Sequence, residues 1–135
     1  MKQIFFIAFL FAGIPSFCQT TIQRDAEIEK MVKEISSDSL KSYIKSMVAF
    51  GTRNTLSTQT NPKRGIGAAR NWVLGKFNEF AKQSDGRLSA FIDTTTLQPD
   101  KRRIDTVTLL GNVVATLKGT DPNDNRIFII SGHLD

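Results

Sequence analysis

Arg126-Ile127-Phe128-Ile129-Ile130-Ser131-Gly132-His133-Leu134-Asp135 is the stretch on which the reading of this chain turns. Its four consecutive apolar residues are mostly β-branched and follow a turn-rich segment. Such a run is expected of a strand buried on both faces in the middle of an α/β sheet. Ligand sites in such sheets lie at the carboxyl ends of the strands. Ser131 and Gly132 bring little bulk there, and His133 and Asp135, two apart, share a face if the extended conformation continues. A metal site could begin at this point. Taken by itself, a lone histidine at a strand end reads rather as an ordinary structural residue.

Working back from that stretch, Gly119-Thr120-Asp121-Pro122-Asn123-Asp124-Asn125 is turn chemistry throughout. Val107 to Leu117, rich in Val, Leu and Thr, and Leu88 to Thr96, alternating around Phe91 and Ile92, predict two neighbouring antiparallel strands. Between them, Lys101-Arg102-Arg103 is flanked by Asp100 and Asp105, so this basic cluster reads as a solvated turn. A helix from Gly65 to Lys82 carries Ile66, Ala69, Trp72, Val73, Phe77 and Phe80 on one wide face, which needs a large apolar partner such as a sheet. The polar segment from Gly51 to Lys63, with Asn61-Pro62, predicts an exposed loop.

Two further helices precede it. Asp25 is a fitting N-cap for a helix from Ala26 to Ser36, with Ile28, Met31, Val32 and Ile35 on one face. Ser37 or Asp38 begins a second, in which Leu40, Tyr43, Ile44, Met47 and Val48 repeat the pattern until Gly51 ends it. Both stripes read as core. The predicted order is three helices, then three strands.

The first residues bear on compartment. Lys2 precedes a nearly unbroken apolar run from Ile4 to Ile14, closed by Pro15-Ser16-Phe17-Cys18-Gln19. This pattern is that of a secretory signal peptide over residues 1–18, with cleavage between Cys18 and Gln19. The apolar run is shorter than the roughly 20 residues of a membrane-spanning helix. Lipid attachment at Cys18 is the alternative, poorly matched by Phe17, and it alone would bring the protein to a membrane. Cys18 is the sole cysteine, so a chain cleaved there forms no disulfide.

With 135 residues, of which 40% are hydrophobic and 23% charged, the chain has room for one small domain at most. The formal charge of +5 is scattered over every segment. No basic stripe marks a nucleic-acid partner.

A helical lead-in, Phe50-Gly51-Thr52-Arg53, a Trp-bearing helix, Gly111-Asn112-Val113-Val114-Ala115-Thr116-Leu117-Lys118-Gly119 and then Ile129-Ile130-Ser131-Gly132-His133-Leu134-Asp135 occur in that order. In this order they resemble the start of an M28-family zinc aminopeptidase, and the resemblance covers Asp25 to Asp135. It implies a mixed α/β aminopeptidase-like sheet, here truncated, with residues 19–135 forming the amino-terminal part of the peptidase domain. It also implies two zinc ions in the whole enzyme, acting on a peptide or amino-acyl substrate. His133 matches the family's metal-binding histidine. Asp135 matches the aspartate that accepts a hydrogen bond from the other imidazole nitrogen, which orients the ring. The family's other ligands and its glutamate base have no counterpart before Asp135, so this chain alone is expected to be inactive and not to hold zinc stably. Glutaminyl cyclase, which shares the fold and the H-x-D segment, is a second reading, and a small secreted binding module without catalysis is a third.

Overall fold

The computed structural model describes residues 24–134. The expected signal peptide over residues 1–18, with Cys18, and Asp135 at the other end lie outside the described residues. The chain divides into two units, Met1–Ser36 and Ser37–Asp135.

In the first unit, helix α1 spans Ala26–Lys33. The Asp25 carboxylate accepts hydrogen bonds from the backbone N–H groups of Glu27 (2.8 Å) and Ile28 (3.4 Å), satisfying two of the donors that a helix start leaves orphaned. Ile28, Met31 and Val32 lie on one face of it as the sequence predicts, whereas Ile35 falls beyond the Glu34 C-cap, and none is core: all four are 59–64% exposed. Periodicity fixes the helix and its face, and burial needs a second surface.

In the second unit, α2 spans Ser37–Ala49 and α3 spans Gly65–Ala81. Gly51 ends α2 with φ of 71°, the left-handed conformation a helix stop favours, and its N–H donates to Val48 O at 2.9 Å. The start of α3 has no side-chain cap from its neighbour Arg64. Its first donors go instead to distant groups: Gly65 N–H to Phe50 O (3.0 Å), Ile66 N–H to Ser57 Oγ (2.9 Å) and Gly67 N–H to Thr58 O (3.2 Å). The segment predicted as an exposed loop therefore folds over the helix start, and Arg53, Thr55, Ser57 and Gln59 are half-buried. Gly67 permits this, because a Cβ there would overlap the carbonyl of Gln59.

Strands β1 (Leu88–Leu97) and β2 (Thr108–Leu117) pair antiparallel, with Leu88 opposite Leu117, Ile92 opposite Val113 and Leu97 opposite Thr108. Helix α3 packs on this sheet. Over the described residues the fold is thus mixed α/β, three helices followed by a two-stranded antiparallel sheet. The predicted turn between the strands is built on the Asp100 carboxylate, whose Oδ1 accepts from the N–H groups of Arg102, Arg103 and Ile104 at 2.8–2.9 Å. Those bonds favour the ionised form and hold Asp100 below the usual carboxylate range.

The core is made at the beginning of α3. Residues 65–70 are all buried, with Ala69 at 0% exposure. Arg70 is among them. One of its terminal nitrogens donates to Leu109 O at 3.4 Å and the other to Gln59 Oε1. Gly111 leaves room for the guanidinium, since a Cβ there would strike it. Desolvation works against its charge and lowers its pKa. Farther along α3, Trp72 is half-buried: Tyr43 and Phe50 approach it edge-on at 5.8 Å and 6.4 Å, and the Lys76 ammonium lies 5.8 Å from its ring.

The third predicted strand is not formed. Residues 126–130 belong to no strand, and Ile127, Phe128, Ile129 and Ile130 are 84–98% exposed. A strand exists only as one side of a hydrogen-bonded ladder. Among the described residues nothing pairs with this segment. No helix of the described residues is long and apolar enough to cross a membrane.

Candidate functional site

His133 follows the exposed apolar segment and is itself exposed. What fixes its surroundings is a contact made from the far end of the unit. The carbonyl of Leu134 accepts a hydrogen bond from Arg53 Nε at 2.7 Å, across 81 residues of sequence. The same guanidinium donates through Nη1 to Met47 O at 2.8 Å. Met47 lies in the last turn of α2, where carbonyls have no partner within the helix and a cation is favoured by the helix dipole. Arg53 thus ties the end of α2 to the backbone beside His133. Both acceptors are neutral carbonyls, and the bonds are assisted by the charge on the donor.

Around this tie, Tyr43, Ile44, Met47 and Val48 from α2 line an open cleft of about 250 Å³ with Arg53, His133 and Leu134. The wall is largely apolar, and Arg53 and His133 supply its nitrogen groups.

Of the site residues expected from sequence, His133 is placed on this cleft and Asp135 lies outside the described residues. The zinc reading can be tested against the donor set. Among the described residues no three His, Cys, Asp or Glu side chains gather into a group able to hold a metal ion. Catalytic zinc ordinarily takes about three protein ligands. One imidazole does not fit that requirement, so the described residues do not by themselves make a zinc site. The sequence marks Arg53 only as part of the motif Phe50-Gly51-Thr52-Arg53, with no role at the site. Its signal was an arginine just beyond a helix end, where basic side chains bind the last carbonyls.

The chain is similar to curated proteins described as "Probable zinc metalloprotease". One from Pyrenophora teres f. teres is 42% identical over 112 residues, 82% of this chain and 24% of the relative. A second, from Pyrenophora tritici-repentis, is 40% identical over the same share of this chain and 26% of its own length. A third, from Phaeosphaeria nodorum, is 39% identical and matched over 22% of its length. The chain spans about a quarter of the length of these relatives. No family model matches the chain, and no solved structure does. Over most of its length, then, this chain is similar to a stretch of about a quarter of the length of each of three proteins described as zinc metalloproteases.

Proposed function

We propose that this chain supplies the amino-terminal portion of an exported zinc aminopeptidase of the M28 kind. The observation that carries the reading is the 42% identity, over 82% of the chain, to a protein described as a zinc metalloprotease. The motif order ending in His133-Leu134-Asp135 agrees with it. In this reading His133 gives one zinc ligand, Asp135 holds its imidazole by a hydrogen bond, and the remaining ligands come from residues other than those described. The whole protein takes two zinc ions, hydrolyses peptide or amino-acyl amide bonds, and has no nucleic-acid partner. The signal peptide directs it out of the cytoplasm.

The test uses a protein that continues this chain to the length of its relatives. Elemental analysis should find two zinc ions, and an amino-acyl anilide should be hydrolysed. His133→Ala should lose one zinc and nearly all turnover. Asp135→Asn should keep the zinc but weaken affinity or activity about 10- to 100-fold, because the amide remains an acceptor and loses the charge that raises imidazole basicity. Two retained zinc ions and an unchanged rate in His133→Ala would end the assignment of this histidine. Cyclisation of an amino-terminal glutamine in place of anilide hydrolysis would move the function to glutaminyl cyclase. Intact mass should place the exported amino terminus at Gln19.

A further inference from the structure

We infer that Arg53 is the positioning residue for His133. The inference rests on the reading of His133 as a zinc ligand in one respect only, the metal consequence given at the end. Its geometric part stands without zinc.

Residues 127–130 make no ladder and are almost fully exposed, so the segment that leads to His133 gains no rigidity from a sheet. Beyond it, the Leu134 carbonyl is gripped by Arg53 at 2.7 Å, and the grip is anchored to α2 by the 2.8 Å bond to Met47 O. A guanidinium is suited to this, since its donors are held in one plane at fixed angles and two carbonyls can be bridged in a single geometry. Arg53 is half-buried, which limits competition from water. His133 is the residue immediately before the gripped carbonyl. Fixing the Leu134 carbonyl therefore restricts the backbone from which the imidazole projects and keeps the ring at the α2 cleft that Tyr43, Ile44, Met47 and Val48 help to line. Thr52 and Asn54, the neighbours of Arg53, are exposed.

The experiment uses the 135-residue chain, which has one histidine and one tryptophan. Each gives a single, assigned reporter. The His133 ring Cε1–H signal in an NMR spectrum reads order at the candidate ligand. Trp72, packed against Tyr43 and Phe50, reads the α2–α3 packing. In Arg53→Ala the His133 signal should move to the position of an unstructured histidine, while Trp72 fluorescence stays as it was. Arg53→Lys, with one nitrogen in place of a planar fork, should fall between the two. An unchanged His133 signal in Arg53→Ala would overturn the proposal. So would a change in which His133 and Trp72 move together, since that is the mark of a merely structural residue.

In the protein of the relatives' length, Arg53→Ala should lower zinc affinity about 10- to 100-fold, the range typical of groups that orient a ligand. Retained affinity there, alongside loss of zinc in His133→Ala, would also overturn it. If His133→Ala keeps its zinc while the His133 signal still depends on Arg53, the metal reading fails and the positioning role is upheld.

Discussion

Gly65–Arg70 and Ile127–Ile130 stand in opposite relation to water from what their compositions suggest. The first holds one isoleucine, two glycines, two alanines and an arginine, and every residue is buried. The second is isoleucine and phenylalanine only, and it is 84–98% exposed. The difference lies in what each can be packed against. Small side chains at the start of α3 let the 57–59 loop approach closely enough to accept from the N–H groups of Ile66 and Gly67, and the sheet packs against the helix. Bulky apolar residues at 127–130 have more surface to hide, and among the described residues no ladder or helix covers them. Apolarity measures how much a segment gains from burial, at about 25 cal/mol per Å² of apolar surface. Whether the gain is realised depends on a partner.

The largest effect should come from disturbing the buried region at its tightest approach. In an open helix, Gly→Ala stabilises by about 1 kcal/mol. At Gly67 the new Cβ would meet the carbonyl of Gln59, which is backbone and cannot rotate away. The clash should win, with Gly67→Ala destabilising by about 2 kcal/mol, in the range of overpacked cores. A lower urea midpoint would show it, and a raised midpoint would mean that the loop does not hold α3 so closely.

The opposite region should respond little in stability. Ile129→Asp, at a residue 87% exposed, should shift the unfolding free energy by no more than about 0.5 kcal/mol. It should, however, sharply reduce self-association and dye binding, because an exposed apolar run with strand propensity is adhesive. A loss of about 2 kcal/mol or more, the size seen on emptying a core site, would mean that the segment is packed and the comparison false.

The smallest effect is a pH dependence in the turn between the strands. Asp100 is held below its ordinary value by the N–H groups of Ile104, Arg102 and Arg103. A carboxylate whose folded pKa is depressed stabilises the fold above its unfolded pKa, and that contribution is lost as pH falls through the folded value. The turn should therefore stay ordered below about pH 3.9, the ordinary aspartate value, and loosen only in stronger acid. An NMR titration of the Asp100 carboxyl, read with the Arg102 and Ile104 amides, would check the sign. A midpoint at or above the ordinary value would refute it.

Much of the second unit is legible in its residues. The ends of α3, the pairing of β1 with β2 and the solvated turn at Asp100 follow from periodicity, alternation and turn chemistry, which act over a few residues. What escapes is set by contacts made far along the chain. The stripes at Ile28, Met31 and Val32 and at Leu40, Ile44 and Val48 predict helices correctly and a core incorrectly, for these residues are 52–64% exposed. The apolar run at 127–130 carries the composition of a strand, but a ladder partner is not a property of the run. Arg53 sits in a segment whose composition says loop, and its acceptor at Leu134 is 81 residues away. Arg70 is hidden for a similar reason: the space it occupies is left by Gly111 on another element. At the candidate site, the motif order marks both Arg53 and His133, but not that the first bonds to the backbone beside the second.

The bond between Arg53 and Leu134 also orders events in time. Strands β1 and β2 meet across a turn of about ten residues, so their first contacts close a short loop. Joining residues 81 apart closes a loop about three doublings longer, at an added entropic cost of about 2 kcal/mol. The hairpin and the helix on it should therefore assemble first, and the Arg53 clasp should shut late. In a folding experiment, the single histidine would be among the last reporters to reach its native signal.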